Sequence, residues 1–484
     1  MHAQTQTLPR ETVQNRGAHT AALVSLDHEH AFQPLTVEGE LPADLRGTFY
    51  RNGPARFDIG TRPHWFDGRG AVSAVRFDGQ GGASGAVRLT HTPTVDADLA
   101  ATTPRFGGFR QPSSWGRSLA GLFGGEVVRN LANINVLPWQ GRLFALYETT
   151  LPVELDPRTL DNLGETTLDG LVGAWNAHPH HVASRHAIYQ FGVRIGREVM
   201  LDVYELPARG AARRLTSVPL PGVGEVHDFF ATDNHLVFML APLWCSPLEL
   251  LARRSFVDAL RWRADQPSQV LVIPIDRPDQ VLHLETEPFF FWHSVNGHER
   301  AGGRELVLDL VRYPDFATTR DALAARSDGI PAPTGAGGSS LSRAVLELDA
   351  GRVRWETLAT RPCEFPAVAS ARQGAACDHA WLATQSRPAA RNGWFNALTR
   401  FDLETGASRD IALGAGCTVS EPALVAKRAG TGHWLLCLVC DHEAARSWLG
   451  VWDADGDDDA PRARVWFDQL VPPPLHGCWM GARD

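Results

Sequence analysis

Nineteen histidines are distributed along the 484 residues, and four of them keep company that suggests chemistry. His178 lies in WNAHPHHV, His227 in GEVHDFF, His293 in FFFWHSVNG and His476 in PPPLHGCWM, each with apolar or aromatic neighbours beside a strand-like run. Neutral imidazole is the commonest protein ligand for a transition metal, and four around one ion leave positions open when the metal prefers six. The separations of 49, 66 and 183 residues exclude a local loop site and demand a fold that returns distant segments to one place. Spacing alone leaves this quartet one grouping among several. His178, His181 and His186 form a local alternative, but HPHHVASRH has neither the HExxH pattern nor a cysteine partner. His28 and His30 are expected to be solvated ahead of the first strand, His64 and His298 to serve hydrogen bonding, and His180 and His181 to be spectators. Cys437 and Cys440 form a CxxC inside the apolar run WLLCLVCD with no second CxxC, so buried small side chains are expected there rather than zinc ligands.

The elements that must position such residues are mostly strands. Forty-five glycines and 32 prolines punctuate short runs rich in valine, leucine, phenylalanine and tryptophan, the pattern of many strands joined by tight turns. AVLELDAGRVRWETL from Ala344, TRFDLETGASRDIAL from Thr399 and GVWDADGDDDAPRARVWF from Gly450 share one design: a strand, an Asp followed within a few residues by Gly, then a second strand. Their turn glycines, Gly351, Gly406 and Gly456, are 55 and 50 residues apart, close to the ~50 residues of a four-stranded propeller blade. An earlier copy begins at Val72. Extended over the chain, the period predicts an all-β, seven-bladed β-propeller spanning residues 1–484 as a single domain, with residues 1–30 as an N-terminal extension. Radially arranged inner strands are what would bring the four histidines onto one axis.

Two stretches break the period and are expected as insertions capping the face that bears the site. Residues 106–130 mix Phe106, Phe109, Trp115, Leu119, Leu122 and Phe123 with Arg110, Arg117 and Arg129; residues 242–264 read as helical around Leu248 to Leu260. One reading is a packed lid. The other is an arginine-fringed apolar mouth, with Trp115, Leu119, Leu122 and Phe123 dipping into a membrane surface. The glycine- and serine-rich segment 327–342 is expected to be a surface loop.

Composition bounds the function. A 44% hydrophobic and 21% charged chain with no apolar run near 18 residues is an ordinary globular composition. Its formal charge of −9 argues against a nucleic-acid partner. Seven cysteines without framework spacing, and no signal peptide in the first 27 residues, lead us to expect a cytoplasmic protein, peripheral to the inner face of a membrane if the mouth reading holds.

At these residues the sequence resembles the carotenoid cleavage oxygenase family over nearly its whole length. The likeness is carried, in order, by GTFYRNGPARFD from Gly47, HWFDGRGAV from His64, LANINVLPWQGRLFALYE from Leu131, AHP at Ala177, VHDF at Val226, WHSVN at Trp292, CEFP at Cys363, SEP at Ser420 and LHGCW at Leu475. The resemblance implies a seven-bladed propeller with Fe(2+) on its axis, held by His178, His227, His293 and His476. It also implies that Glu148 holds His227, Glu364 holds His293 and Glu421 holds His476, leaving His178 without a carboxylate; a ligating imidazole must donate its second N–H to some acceptor. The chain departs from the family in three places. Trp292-His293-Ser294 stands where Phe-His-His is usual, Ile134 stands where many members have threonine near the vacant side of the metal, and Tyr147 stands where stilbene-cleaving relatives typically place a lysine.

The expected function is therefore non-haem Fe(2+) dioxygenase cleavage of a C=C bond of a carotenoid or apocarotenoid, with O2 as co-substrate and two carbonyl products. Phe66, Phe229, Phe291 and Trp292 are expected to line the apolar tunnel. The alternatives are cleavage of a stilbene-type phenolic olefin, isomerase chemistry, and a lipid-binding propeller without cleavage.

Overall fold

The computed structural model describes residues 24–59, 64–121, 127–170, 175–251, 255–317, 338–386, 394–428 and 430–482. They form a nearly all-β structure of small antiparallel sheets: seven have four or more strands and one has three. In six of the eight sheets the strands follow chain order, as in Phe290–Arg300, Glu305–Tyr313, Ser340–Glu347 and Arg352–Ala359. The Asp-to-Gly segments from Ala344 and Thr399 are the outermost hairpins of their sheets, and their chemistry explains their sequence. Asp402 accepts the backbone N–H groups of Glu404 and Thr405 (3.0 and 2.7 Å), while Gly406 takes the left-handed conformation (φ +70°) that closes the turn. Asp78 does the same for Gln80 and Gly82 around Gly79.

The chain ends are woven together. The last strand, His476–Gly481, pairs with Arg46–Arg56, placing His476 opposite Asn52. Thr36–Gly39 adds to the edge strand Ala463–Trp466. His30 is not ahead of the first strand but opens it, in His30–Pro34. Cys437 and Cys440 are buried in His433–Asp441 as free thiols.

The insertion at 242–264 differs from the single helix expected. It contains two short helices, Pro247–Leu251 and Phe256–Ala259, and its flanks Leu243–Cys245 and Arg261–Trp262 pair in a three-stranded sheet with Val223–Gly224. Two caps explain the division. Ser246 and Glu249 bond each other's backbone N–H (3.3 and 2.9 Å), and Ser255 restarts a helix by accepting from Asp258 (3.4 Å). In the 106–130 stretch a helix spans Trp115–Gly121, and Trp115 is 58% exposed. Leu122 and Phe123 lie outside the described residues, as does the side chain of Leu119. Arg129 is not at a lipid-facing fringe: it is fully buried against Asp98 (2.7 Å). Arg117 stacks over the ring of Phe106. The two insertions meet where the Val257 N–H donates to the Phe109 carbonyl (3.1 Å). Segment 327–342 lies mostly outside the described residues, and its last three residues open the strand Ser340–Glu347.

Candidate metal centre

Four separate segments deliver the four imidazoles. His178 precedes the strand His180–Val182, and its backbone N–H donates to Asn176 Oδ1 (2.9 Å). Asn176 Nδ2 donates to the Val226 carbonyl (3.2 Å), fastening this segment to the one carrying His227. His293 sits on Phe290–Arg300 where the register with Glu305–Tyr313 slips, between Phe291 and Ser294 and again before Asn296. Such bulges re-aim side chains out of a regular ladder. His476 opens the last strand and donates its backbone N–H to the Ile134 carbonyl (3.1 Å).

The rings converge. Centroids of the His178–His227, His178–His476 and His293–His476 pairs are 4.3, 4.8 and 4.8 Å apart, and those of His178–His293 and His227–His293 are 5.3 Å apart. All four residues are 4 to 9% exposed, which sets them apart from surface histidines. Ring nitrogens of His178, His293 and His476 lie within 4.8 Å of one another, as do those of His178 and His227 with a Glu148 oxygen.

A carboxylate stands behind three of the rings. His293 Nδ1 is 2.5 Å from Glu364 Oε2, and His476 Nδ1 is 2.8 Å from Glu421 Oε1. His227 Nδ1 lies 2.6 Å from Glu148 Oε1, an ion-pair contact short of hydrogen-bond geometry. No carboxylate pairs with His178 among the described residues. With the Nδ1 positions of His293 and His476 occupied, their Nε2 atoms are turned toward each other at 3.1 Å. His178 Nε2 is buried without any partner. Inward nitrogens crowded together or orphaned in a buried space are what a bound cation would satisfy, and an all-imidazole donor set suits a borderline transition metal such as Fe(2+).

Electrostatics divide the quartet. Burial, reinforced by the other three imidazoles, pushes His178 well below the ordinary histidine range, so it stays neutral. Burial also lowers His476, against the opposing pull of Glu421. Against the same desolvation, the Glu148 and Glu225 carboxylates raise His227 to about 10. Glu364 and Glu421 overcome burial through His293 and His476 respectively and remain carboxylates.

Four supporting residues had escaped the sequence reading. Arg51, 1% exposed, binds Glu421 at both its carboxylate and its backbone carbonyl. The Tyr313 hydroxyl donates to Glu364 Oε1 (2.6 Å). Buried Asp228 lies 2.7 Å from His180 Nε2 through Oδ1 and accepts the N–H and hydroxyl of Ser294 (both 2.7 Å) through Oδ2. His180 is thus a bonded partner and not a spectator, and Asp228 joins residues that follow three of the histidines. Glu225, whose carboxyl burial and Glu148 push up to about 7, is 3.7 Å from His227. The only sequence signal was adjacency: Asp228 and Ser294 follow His227 and His293, and Glu225 stands two residues before His227.

Two cavities approach the centre. A predominantly apolar cleft is lined by residues of both the 106–130 and 242–264 stretches, with Val128, Trp175, Phe191, Val193 and Phe256 in its wall, and it includes Glu148 and Glu225, which face His227. A more polar channel reaches His178, His293 and His476. Phe229 and Phe291 line neither. Phe229 is stacked on Phe238 (5.0 Å), and Phe291 is stacked on Phe230 (5.9 Å), both inside the core. Phe291 and Trp292 are adjacent on the strand Phe290–Arg300 and so point to opposite faces, with Trp292 on the inner one. Trp292 packs edge-on to His227 (4.7 Å), and Phe66 touches Trp292 (6.0 Å). Ile134 and Trp292 adjoin His476 and His227, Phe66 reaches them through Trp292, and none of the three lines either cavity. Phe365 faces His293 and His476 at 5.6 and 5.7 Å. Its backbone, like that of Thr149, is left-handed (φ +54° and +64°), so the residues after Glu364 and Glu148 hold strained turns.

Comparison with known proteins places this geometry in context. The family model described as retinal pigment epithelial membrane protein matches residues 23–481. The chain is 28% identical over 462 residues to apocarotenoid-15,15'-oxygenase of Synechocystis, covering 92% of each. It is 27% identical to isoeugenol monooxygenase of Pseudomonas nitroreducens, over 92% of this chain and 94% of that one. Resveratrol cleavage oxygenase 1 of Aspergillus fumigatus is 26% identical, with 93% and 92% covered. Among solved structures, a variant of Synechocystis apocarotenoid oxygenase superposes with a TM-score of 0.84 at 25% identity, over 96% of this chain and 98% of that one. The cobalt-substituted form of the same oxygenase gives 0.82 at 25% identity, with the same coverage.

Proposed function

The chain belongs to the family described as retinal pigment epithelial membrane protein, and from that premise we propose a non-haem Fe(2+) dioxygenase that cleaves a C=C bond of a carotenoid or apocarotenoid. The observation that carries this reading is the meeting of four buried, converging imidazoles with an apolar cleft beside them. In this reading the seven larger sheets are seven blades of one propeller domain over residues 1–484, and residues 106–130 and 242–264 cap its active face. His178, His227, His293 and His476 would hold the metal; Glu148, Glu364 and Glu421 would hold their tautomers. Cytoplasmic residence suits the seven free cysteines.

Ferrous iron bound there supplies activation of dioxygen next to the alkene. The chain's own contribution is placement. The cleft excludes water and threads an extended apolar molecule past Trp175 and Phe256 toward the imidazoles. The net reaction converts one C=C bond and one O2 into two C=O groups, so all electrons come from substrate and dioxygen, and no nicotinamide, flavin or oxoacid is required. Among the described cleft residues there is no lysine or arginine. Burial, with the Asp67 and Glu148 charges, pushes the Tyr147 phenol well above its ordinary range, so it is neutral. A phenolate would thus meet no lysine or arginine among the described cleft residues, which favours a polyene over a stilbene-type phenolic olefin.

The exposed Trp115 and Leu248, 58% and 75% accessible on neighbouring helices of the two insertions, support contact with a membrane that stores the substrate. No helix among the described residues is long and apolar enough to cross one. The deciding experiment incubates iron-loaded protein with apocarotenals, carotenoids and stilbenes under isotopically labelled dioxygen. Labelled carbonyl fragments are expected, and they should disappear together with bound iron in His178→Ala, His227→Ala, His293→Ala and His476→Ala. Products of unchanged carbon number would establish an isomerase instead, and an iron-free parent that consumes no oxygen would leave a lipid-binding propeller.

A further inference from the structure

Among the described residues two cavities approach the centre, one predominantly apolar and one of mixed walls, and a hydrated divalent cation is desolvated at lower cost along the second. Stripping an ion of water against apolar walls carries a large desolvation cost unless charged or polar groups replace the shell. The cleft that suits a polyene presents Val128, Val193 and Phe256 in its wall, and its carboxylates, Glu148 and Glu225, face His227. The second cavity, of about 590 Å³, opens directly on His178, His293 and His476, and its wall includes Asp228, Glu421 and Asn296. Asp228 accepts the N–H and hydroxyl of Ser294, and no lysine or arginine is among the described residues lining this cavity. The side-chain oxygens of Asp228, Glu421 and Asn296 can replace part of an ion's hydration shell on its way to the imidazoles.

We infer that this polar channel is the route by which the metal ion reaches the four imidazoles, so that metal and organic substrate enter from different sides. The inference rests on the metal-centre reading above. Exposed Ser370 and half-buried Gln373 occupy a turn on the channel wall, away from the imidazoles and from the hydrogen bonds that hold them. A substrate-bound protein would then still exchange metal.

The test follows uptake of cobalt(II) by metal-free protein through the visible absorption of the imidazole-bound ion. A charge placed about 10 Å from the path of a divalent ion changes its local concentration about threefold at low ionic strength, and ~1 M salt removes the effect. Ser370→Lys and Gln373→Lys should therefore each slow uptake by about that factor, and Ser370→Glu should accelerate it. Final stoichiometry should stay that of the parent, and all differences should vanish in high salt. Ile195→Lys and Ile195→Glu, on an exposed residue of the apolar cleft, should leave the rate unchanged. Rates that follow the charge at Ile195, or that ignore charge at Ser370 and Gln373 while the parent binds cobalt normally, overturn the route alone. A parent that takes up no cobalt overturns the metal centre and the route with it.

Discussion

Glu364→Gln is the substitution for which the structure specifies the outcome most closely. Oε2 of Glu364 lies 2.5 Å from His293 Nδ1 and accepts the Phe365 N–H (3.0 Å), while Oε1 accepts the Tyr313 hydroxyl (2.6 Å). In the glutamine variant the Phe365 N–H still requires an acceptor at the Oε2 position, so the amide nitrogen must take the Oε1 position and face Tyr313. The tyrosine hydroxyl can turn from donor to acceptor, and His293 keeps Nδ1–H and an inward lone pair. What is lost is the charge of the acceptor. A hydrogen bond to a charged group contributes about 1.5–3 kcal/mol against about 0.5–1.5 for a neutral one, so the variant should lose about 1–2 kcal/mol of metal binding. That is a roughly 5- to 30-fold weaker metal affinity, measured by competitive titration of metal-free protein. Tyr313→Phe should weaken affinity in the parent, where it removes a donor from a carboxylate, and cost much less in the Glu364→Gln background, where that donor has already been lost. Unchanged affinity in Glu364→Gln, or an equal cost of Tyr313→Phe in both backgrounds, would refute the reasoning.

Three further outcomes follow from buried polar contacts. Arg51→Met strands the Glu421 carboxylate and should destabilise the protein by about 3–5 kcal/mol in denaturant titration, with partial recovery in Arg51→Met/Glu421→Gln. His180→Ala should cost about 1–3 kcal/mol because Asp228 loses a partner, whereas exposed His181→Ala should be nearly silent; equal midpoints for the two would remove the Asp228 bracing. Against the desolvation of its burial, the bonds from His235, Thr232 and Asn234 hold Glu299 at about 2, below its ordinary 4.5, so its contribution is present above the unfolded value and is lost as pH falls from 4.5 toward 2. Glu299→Gln should therefore flatten the fall of the denaturation midpoint across that window, and an unaltered slope would assign the acid sensitivity elsewhere.

Local chemistry was legible in the sequence because it resides in a few adjacent residues. The Asp-to-Gly turns around Gly351 and Gly406 announce hairpins, since an Asp oxygen can bond only nearby N–H groups and the turn needs a residue free to take positive φ. The four histidines stood out by their neighbours, and their pairing with Glu148, Glu364 and Glu421 was reached only through family likeness, because 55 to 79 residues separate each pair. The caps at Ser246 and Ser255 were also written in the chain, but the apolar residues recurring between Leu248 and Leu260 suggested helix across the second of them.

Tertiary structure decided what depends on register and closure. That Phe291 turns into the core while both Trp292 and His293 face the centre follows from bulges on Phe290–Arg300, which break the simple alternation that sequence can count. Arg51 becomes a partner of Glu421 only because the first sheet takes the last strand, His476–Gly481, at its edge. Asp228 becomes a brace only because three segments, each set by its own sheet, arrive within hydrogen-bond reach of one carboxylate. The sequence by itself therefore determined the hairpins and which side chains carry the chemistry. The packing of sheet against sheet determined which of those side chains meet, because such contacts are fixed by the summed geometry of many strands and by no residue's immediate neighbours.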